Sequence, residues 1–140
     1  MIVLDTNVLS ELARPRPEPA VVDWGDGYES VELVITALTA AEIRAGVALL
    51  PRGSRQREVD QRMEALLTET FSGRILAFDV DSTAHYARIL ATRRRVGRPI
   101  GGMDAQVAAV CAQHESALAT RNTADFTDLG LTLIDPWQPS

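Results

Sequence analysis

Four stretches of this chain place an acid, or its amide, where an apolar run gives way to polar residues. "MIVLDTN" puts Asp5 directly after an apolar triplet, "TALTAAEIRAG" carries Glu42, "IGGMDAQVAAV" carries Asp104, and "ALATRNTADF" carries Asn122 and Asp125. An apolar run ending in a carboxylate is the pattern of a buried strand that delivers charge to the edge of a sheet. Carboxylates that converge there without a counter-charge repel and force protons onto one another. A divalent cation resolves the conflict, and donors that are all oxygen select Mg²⁺ or Mn²⁺. The two histidines, His85 and His114, fall mid-helix and near a helix end, and no Cys/His spacing resembles a zinc site.

Each acid also has a purely structural reading. Asp5 can cap the helix that follows it. Thr39 and Glu42 form a T-x-x-E capping box, in which the glutamate bonds back to the first backbone amide. Asp104 lies in a first helical turn, where the helix dipole stabilises a carboxylate by about 0.3–1 kcal/mol. Asn122 and Asp125 read as a cap followed by an acid one turn on. Independent caps, however, have no reason to gather at one sheet edge.

The elements that must position these residues are legible as apolar runs. Ile2–Leu4, Leu33–Ile35, Ile75–Phe78, Ala117–Ala119 and Leu131–Ile134 are mostly uniformly apolar, as parallel strands covered on both faces are. Between them the pattern predicts helices over 39–50, 54–71, 81–95 and 102–115. The second of these carries Val59, Met63, Leu66, Leu67 and Thr70 on one stripe, and the third is closed by Gly97 and Pro99. "RPRPEP" reads as a loop between two short helices, and the tail "DPWQPS" as a cap or a frayed end. Strands alternating with helices give one wound α/β sheet, in which ligands bind beyond the carboxyl ends of the strands.

Composition narrows the function. At 140 residues the chain reads as a single domain over 1–140. Hydrophobic residues at 46% with aromatics at 5% describe a core of Ala, Val, Leu and Ile, which suits helices on a parallel sheet. No apolar stretch approaches the roughly 20 residues that span a bilayer, so no membrane association and a cytoplasmic location are expected. All fourteen basic residues are arginine. The absence of lysine removes a Walker-type phosphate loop at "GRPIGG" and disfavours phosphatases that work through an aspartyl phosphate. A net charge of −5 argues against coating nucleic acid through bulk charge. The single cysteine, Cys111, sits in an apolar helical pattern and reads as a buried thiol.

Taken in order, "MIVLDTNVLSEL", "TALTAAEIRAGVALL", "IGGMDAQVAAVCAQH" and "LATRNTADFTDLGLTLIDPW" resemble a PIN-domain protein of the kind found as toxins of bacterial VapBC and FitAB toxin–antitoxin pairs. The resemblance runs from Met1 to about Trp137. It implies a three-layer α/β/α sandwich with a central, mainly parallel five-stranded sheet, and an acidic pocket for Mg²⁺ or Mn²⁺. It also implies endoribonuclease activity restrained by a small antitoxin that inserts a basic side chain among the acids, operator DNA reached only through the antitoxin complex, and a homodimer. Asp5, Glu42 and Asp104 match the family's three acidic positions. The fourth, often Asp, falls on Asn122, and either Asn122 or Asp125 completes the site.

On this reading a metal-activated water hydrolyses the RNA phosphodiester, leaving 5′-phosphate and 3′-hydroxyl ends. Thr6, Asn7 and Thr120 orient the acids or cap helices. Arg93, Arg94, Arg95 and Arg98 are candidates for an RNA track, with Arg121 for a phosphate or a site carboxylate. Arginines at a helix C-terminus are also favoured by the dipole alone. The alternative function is a catalytically weak PIN-fold regulator that mainly binds its antitoxin and, in complex, operator DNA.

Overall fold

The structure is a computed structural model and describes residues 1–139. Its five strands, β1 (Ile2–Leu4), β2 (Leu33–Thr36), β3 (Ile75–Leu76), β4 (Ala117–Ala119) and β5 (Leu133–Ile134), form one sheet in the order β3-β2-β1-β4-β5. All four pairings are parallel. The chain winds outward from β1 to β2 and β3, then crosses back to place β4 on the other flank of β1. The topological switch point therefore lies between β1 and β4, where open α/β sheets bind ligands.

Successive side chains of a strand point to opposite faces, and here both faces are buried. Ile2 and Leu4 of β1, Ile35 of β2 and Ala119 of β4 enter one core, while Val3, Val34 and Leu118 enter the other. The first core is covered by α1 (Thr6–Leu12), α2 (Pro19–Asp26), α3 (Ala37–Ala48) and α4 (Ser54–Ala65), contributing Val8, Leu9, Val21 and Ile43. The second is covered by α5 (Val80–Arg95) and α6 (Gly102–Gln113), contributing Ile89, Val107 and Cys111. This is the expected three-layer α/β/α sandwich, with a sheet that is wholly parallel.

Several boundaries differ from the pattern reading, for local reasons. The third strand ends at Leu76 because Phe78 packs edge-on against Tyr86, with ring centroids 5.9 Å apart, and Asp79 opens a capping box with Ser82 at the start of α5. The helix over 54–71 is regular only to Ala65 and continues as a π turn over Leu66–Thr70. The helix carrying Glu42 starts earlier than expected, because the buried Thr36, not Thr39, is its cap and accepts the Thr39 N–H at 3.2 Å. Gly97 closes α5 with φ +73°, a left-handed conformation that glycine adopts without penalty. The "RPRPEP" loop is pinned by buried Glu11, whose carboxylate pairs with Arg14 at 3.2 Å and accepts the Glu18 N–H at 3.1 Å. Among the described residues, no helix is long and apolar enough to cross a membrane.

Candidate active site

Asp5 leaves β1 at the switch point and is 8% exposed. Its backbone N–H closes the β1–β4 ladder on Ala119 O at 2.9 Å. One carboxylate oxygen accepts the Thr6 N–H at 2.9 Å, so Asp5 does cap α1. The other accepts the hydroxyl of buried Thr120 at 2.8 Å and faces the Asn7 amide at 3.5 Å. Capping therefore engages only part of the Asp5 carboxylate: the cap fixes one oxygen, and Thr120 fixes the other.

Thr120 continues β4 by one residue, and its N–H bonds Ile134 O of β5 at 2.8 Å. Its Oγ1 also receives the Asn122 N–H at 3.1 Å. Asn7 bridges the same two segments, donating to Thr120 Oγ1 at 3.3 Å and accepting the Arg121 N–H at 3.1 Å. Thr120 and Asn7 thus lock the strand ends of β1 and β4 together around Asp5.

Glu42 projects from α3 and is exposed. Because Thr36 caps the helix, the Glu42 carboxylate is not spent on a capping box, and it accepts instead from Thr6 Oγ1 at 3.0 Å. A hydroxyl has one proton to give. With Thr6 donating to Glu42, the 3.0 Å contact between Thr6 and Thr39 is a donation from Thr39. The relay Thr39–Thr6–Glu42 aims the glutamate toward the end of β1.

Asp104 occupies the first turn of α6, behind a glycine cap that offers no side-chain bond. The helix dipole alone would favour its anion. Its pKa is nevertheless raised, first by burial and then by the charges of Asp5, Asp125 and Glu42, with Arg93 opposing. The charges of three carboxylates on other elements therefore reach Asp104 at the carboxyl edge of the sheet. Asn122 precedes the short 3₁₀ turn Thr123–Phe126 after β4, and Asp125 lies within it. Both are exposed, and Asn122 caps that turn with no side-chain hydrogen bond.

The donor set is all oxygen and carries uncompensated negative charge, which fits a hard divalent cation. Among the described residues, no three His, Cys, Asp or Glu side chains are already drawn into a common coordination sphere. Neither histidine approaches the site: His85 contacts Arg88, and His114 ends α6. The Cys111 thiol, whose pKa burial pushes up to about 12, is a core group.

The expected arginine track requires correction. Arg93 is 4% exposed and turns inward, donating from Nε to Arg98 O at 2.7 Å and from Nη1 to Asp125 O at 2.6 Å. A buried guanidinium turned onto backbone carbonyls is not presented to a phosphate at the surface. Arg98 is partly engaged as well, with Ala124 O at 3.3 Å and Asp128 at 3.8 Å. Arg94 and Arg95 remain exposed. Arg121 lies beside the site, its guanidinium 4.7 Å from the centre of the Trp137 ring. Trp137 belongs to the tail "DPWQPS", which reads from the sequence as a cap or a frayed end; its N–H bonds the Asp135 carboxylate at 2.9 Å and its side chain packs on the first core, so this part of the tail is a cap.

A parallel α/β sandwich with acids at its switch point places the candidate site where open α/β sheets bind ligands, and the comparisons give the chain a family. The PIN domain model matches residues 2–130, and the chain belongs to the PIN-domain family. It is 40% identical over 140 residues to the VapC ribonuclease Y4jK of Sinorhizobium fredii, covering 100% of both chains. It is 39% identical to the toxin FitB of Neisseria gonorrhoeae over 137 residues, covering 98% of this chain and 99% of that one. A solved structure of FitAB bound to an IR36 DNA fragment superposes with a TM-score of 0.93 at 39% identity, covering 100% of this chain and 98% of the other.

Proposed function

We propose that this chain is the toxin of a toxin–antitoxin pair, a Mg²⁺- or Mn²⁺-dependent endoribonuclease that hydrolyses RNA phosphodiester bonds. The observation that carries the reading is the placing of Asp5, Glu42 and Asp104 at the switch point, with Asp5 held by Thr6 and Thr120, Glu42 by Thr6, and Asp104 near enough to feel the charges of both. Asp5, Asp104 and Glu42 are the ligands assigned to the ion. When bound, it supplies Lewis acidity toward water and toward the phosphate oxygens. Thr120, Thr6 and Asn7 hold Asp5 in one orientation, and the Thr39–Thr6 relay holds Glu42. Asn122 has an unused carbonyl oxygen and Asp125 a carboxylate, and either completes the polar wall on the β4 side. Arg94, Arg95 and Arg121 are the exposed cations that meet the RNA backbone.

The antitoxin is assigned to the groove of about 460 Å³ that runs from Thr6 and Glu42 between α1, α3 and α4. Its floor is apolar, with Ile43, Val47, Val59 and Met63, and Glu42 stands at its edge beside Thr6. A peptide seated on that floor can extend a basic side chain to Glu42, neutralising the charge the substrate-bound site would otherwise hold. FitAB's capture with DNA supports operator binding by the corresponding complex. A second copy of this chain completes the proposed assembly.

Cleavage of a structured RNA by the purified chain, with and without Mg²⁺ or Mn²⁺, tests the activity. Asp5→Asn is expected to lower the rate by about a hundredfold or more, and the products to carry 5′-phosphate and 3′-hydroxyl ends. Products ending in a 2′,3′-cyclic phosphate would overturn attack by water. No cleavage by the unmodified chain, together with tight antitoxin binding, would mark a regulator instead.

A further inference from the structure

Arg121 is held from two sides. Its backbone N–H is fixed by Asn7 Oδ1 at 3.1 Å, between Thr120, which bonds Asp5, and Asn122, which bonds Thr120. Its Cα therefore belongs to the same hydrogen-bonded array as the buried aspartate. Its guanidinium lies over the Trp137 indole at 4.7 Å. Stacking uses the face of a guanidinium and leaves its edge of N–H donors free. Among the described residues, the Arg121 side chain has no hydrogen bond and no carboxylate within ion-pair distance.

The indole is placed with equal economy of freedom. Thr120 N–H bonds Ile134 O at 2.8 Å, so β5 ends alongside the residue that precedes Arg121. The chain then turns at Asp135, whose carboxylate accepts the Trp137 N–H at 2.9 Å, and Trp137 packs against the core beneath α1 and α2. A long cationic side chain that would otherwise sample many rotamers is thereby confined on a rigid aromatic plate, next to the proposed catalytic acids.

Resting on the ribonuclease reading above, we infer that Arg121 grips an RNA phosphate beside the cleaved bond and that Trp137 is its positioning residue. The planar fork of Arg121 offers paired donors to phosphate oxygens, and the indole face keeps that fork aimed along the site edge.

The test is binding of a fluorescently labelled single-stranded RNA oligonucleotide of mixed sequence, in EDTA so that cleavage plays no part, measured across a salt series. Arg121→Gln is expected to weaken binding about tenfold and to reduce the salt slope by about one phosphate contact. Arg121→Lys keeps the charge but not the planar stack, and should recover the slope while leaving part of the affinity loss. Trp137→Leu should weaken binding in the unmodified background and have little further effect once Arg121 is Gln; Trp137→Phe serves the same cycle if the leucine variant does not fold. An equal effect of the Trp137 change in both backgrounds would overturn the positioning role and leave the tail as packing alone. Unchanged affinity and slope in Arg121→Gln would overturn the phosphate contact. Failure of the unmodified chain to cleave RNA with Mg²⁺ or Mn²⁺ present would instead overturn the ribonuclease reading, and this inference with it.

Discussion

Neutralising Asp104 should separate two properties that often move together, activity and stability. In the metal-free protein its carboxyl is raised above the ordinary range by burial and by Asp5, Asp125 and Glu42. The folded state therefore disfavours the anion. A raised carboxyl pKa means that stability is lost as pH rises through the folded value, and that no penalty exists below the unfolded value. Asp104→Asn is thus expected to raise the melting temperature in EDTA at neutral pH, by an amount that vanishes below about pH 4, while abolishing cleavage with metal present. Thermal melts of the two proteins across a pH series check the sign. At this scale the sequence conveyed residue type well and direction poorly. Asp5 could be picked out because an acid directly after an apolar run is costly anywhere but a sheet edge, and Glu42 and Asp104 because each falls in the early part of a helix. In "TRRR" three identical side chains hide the fact that successive residues on a helix point about 100° apart, so that Arg93 is buried while Arg94 and Arg95 are exposed.

The same difficulty affects caps. "ITALTAAE" offers two threonines three residues apart, Thr36 and Thr39, and either can start a helix. The decision comes from the sheet: Thr36 is the last residue of β2, so its hydroxyl reaches the Thr39 N–H, while Thr39 faces Thr6. Two substitutions with similar chemistry should therefore differ in effect. Thr36→Ala removes the cap and should cost about 1 kcal/mol of stability, seen as a lower melting temperature with cleavage retained where the protein is folded. Thr39→Ala breaks the relay to Glu42 and should lower the cleavage rate about tenfold. Equal effects of the two on both measurements would contradict the assigned cap. Element order and sheet type were accessible from the apolar runs. Strand ends were not, because the competing claims of Phe78 on Tyr86 and of Asp79 on Ser82 are tertiary and local bonds that an apolar run does not record.

At the scale of the molecule, the two cores on either side of the sheet meet the need that composition implies. With few aromatic residues, the sheet is covered by small and branched aliphatic side chains, and α6 contributes Ala105, Ala108 and Ala109 with Val107 and Val110 at full burial. Cys111 lies in that layer. Its thiol is fully buried, and its pKa is pushed up to about 12, first by burial and then by the charge of Asp5. It is expected to resist a thiol reagent such as DTNB at pH 8 in native protein and to react only as the sandwich opens. The labelling rate, followed in increasing denaturant, then reports opening of the second core. Rapid labelling without denaturant would show that α5 and α6 come away from the sheet far more readily than their packing indicates.

The central strand precedes both of its neighbours in the sequence, and they begin only at Leu33 and Ala117. Asp5 acquires its full set of bonds only when Ala119 and Thr120 arrive, and Arg121 its support only at Trp137. The centre therefore cannot assemble before the segment through Thr120 has been made, and a polypeptide interrupted ahead of it carries Asp5 without the partners that orient its carboxylate.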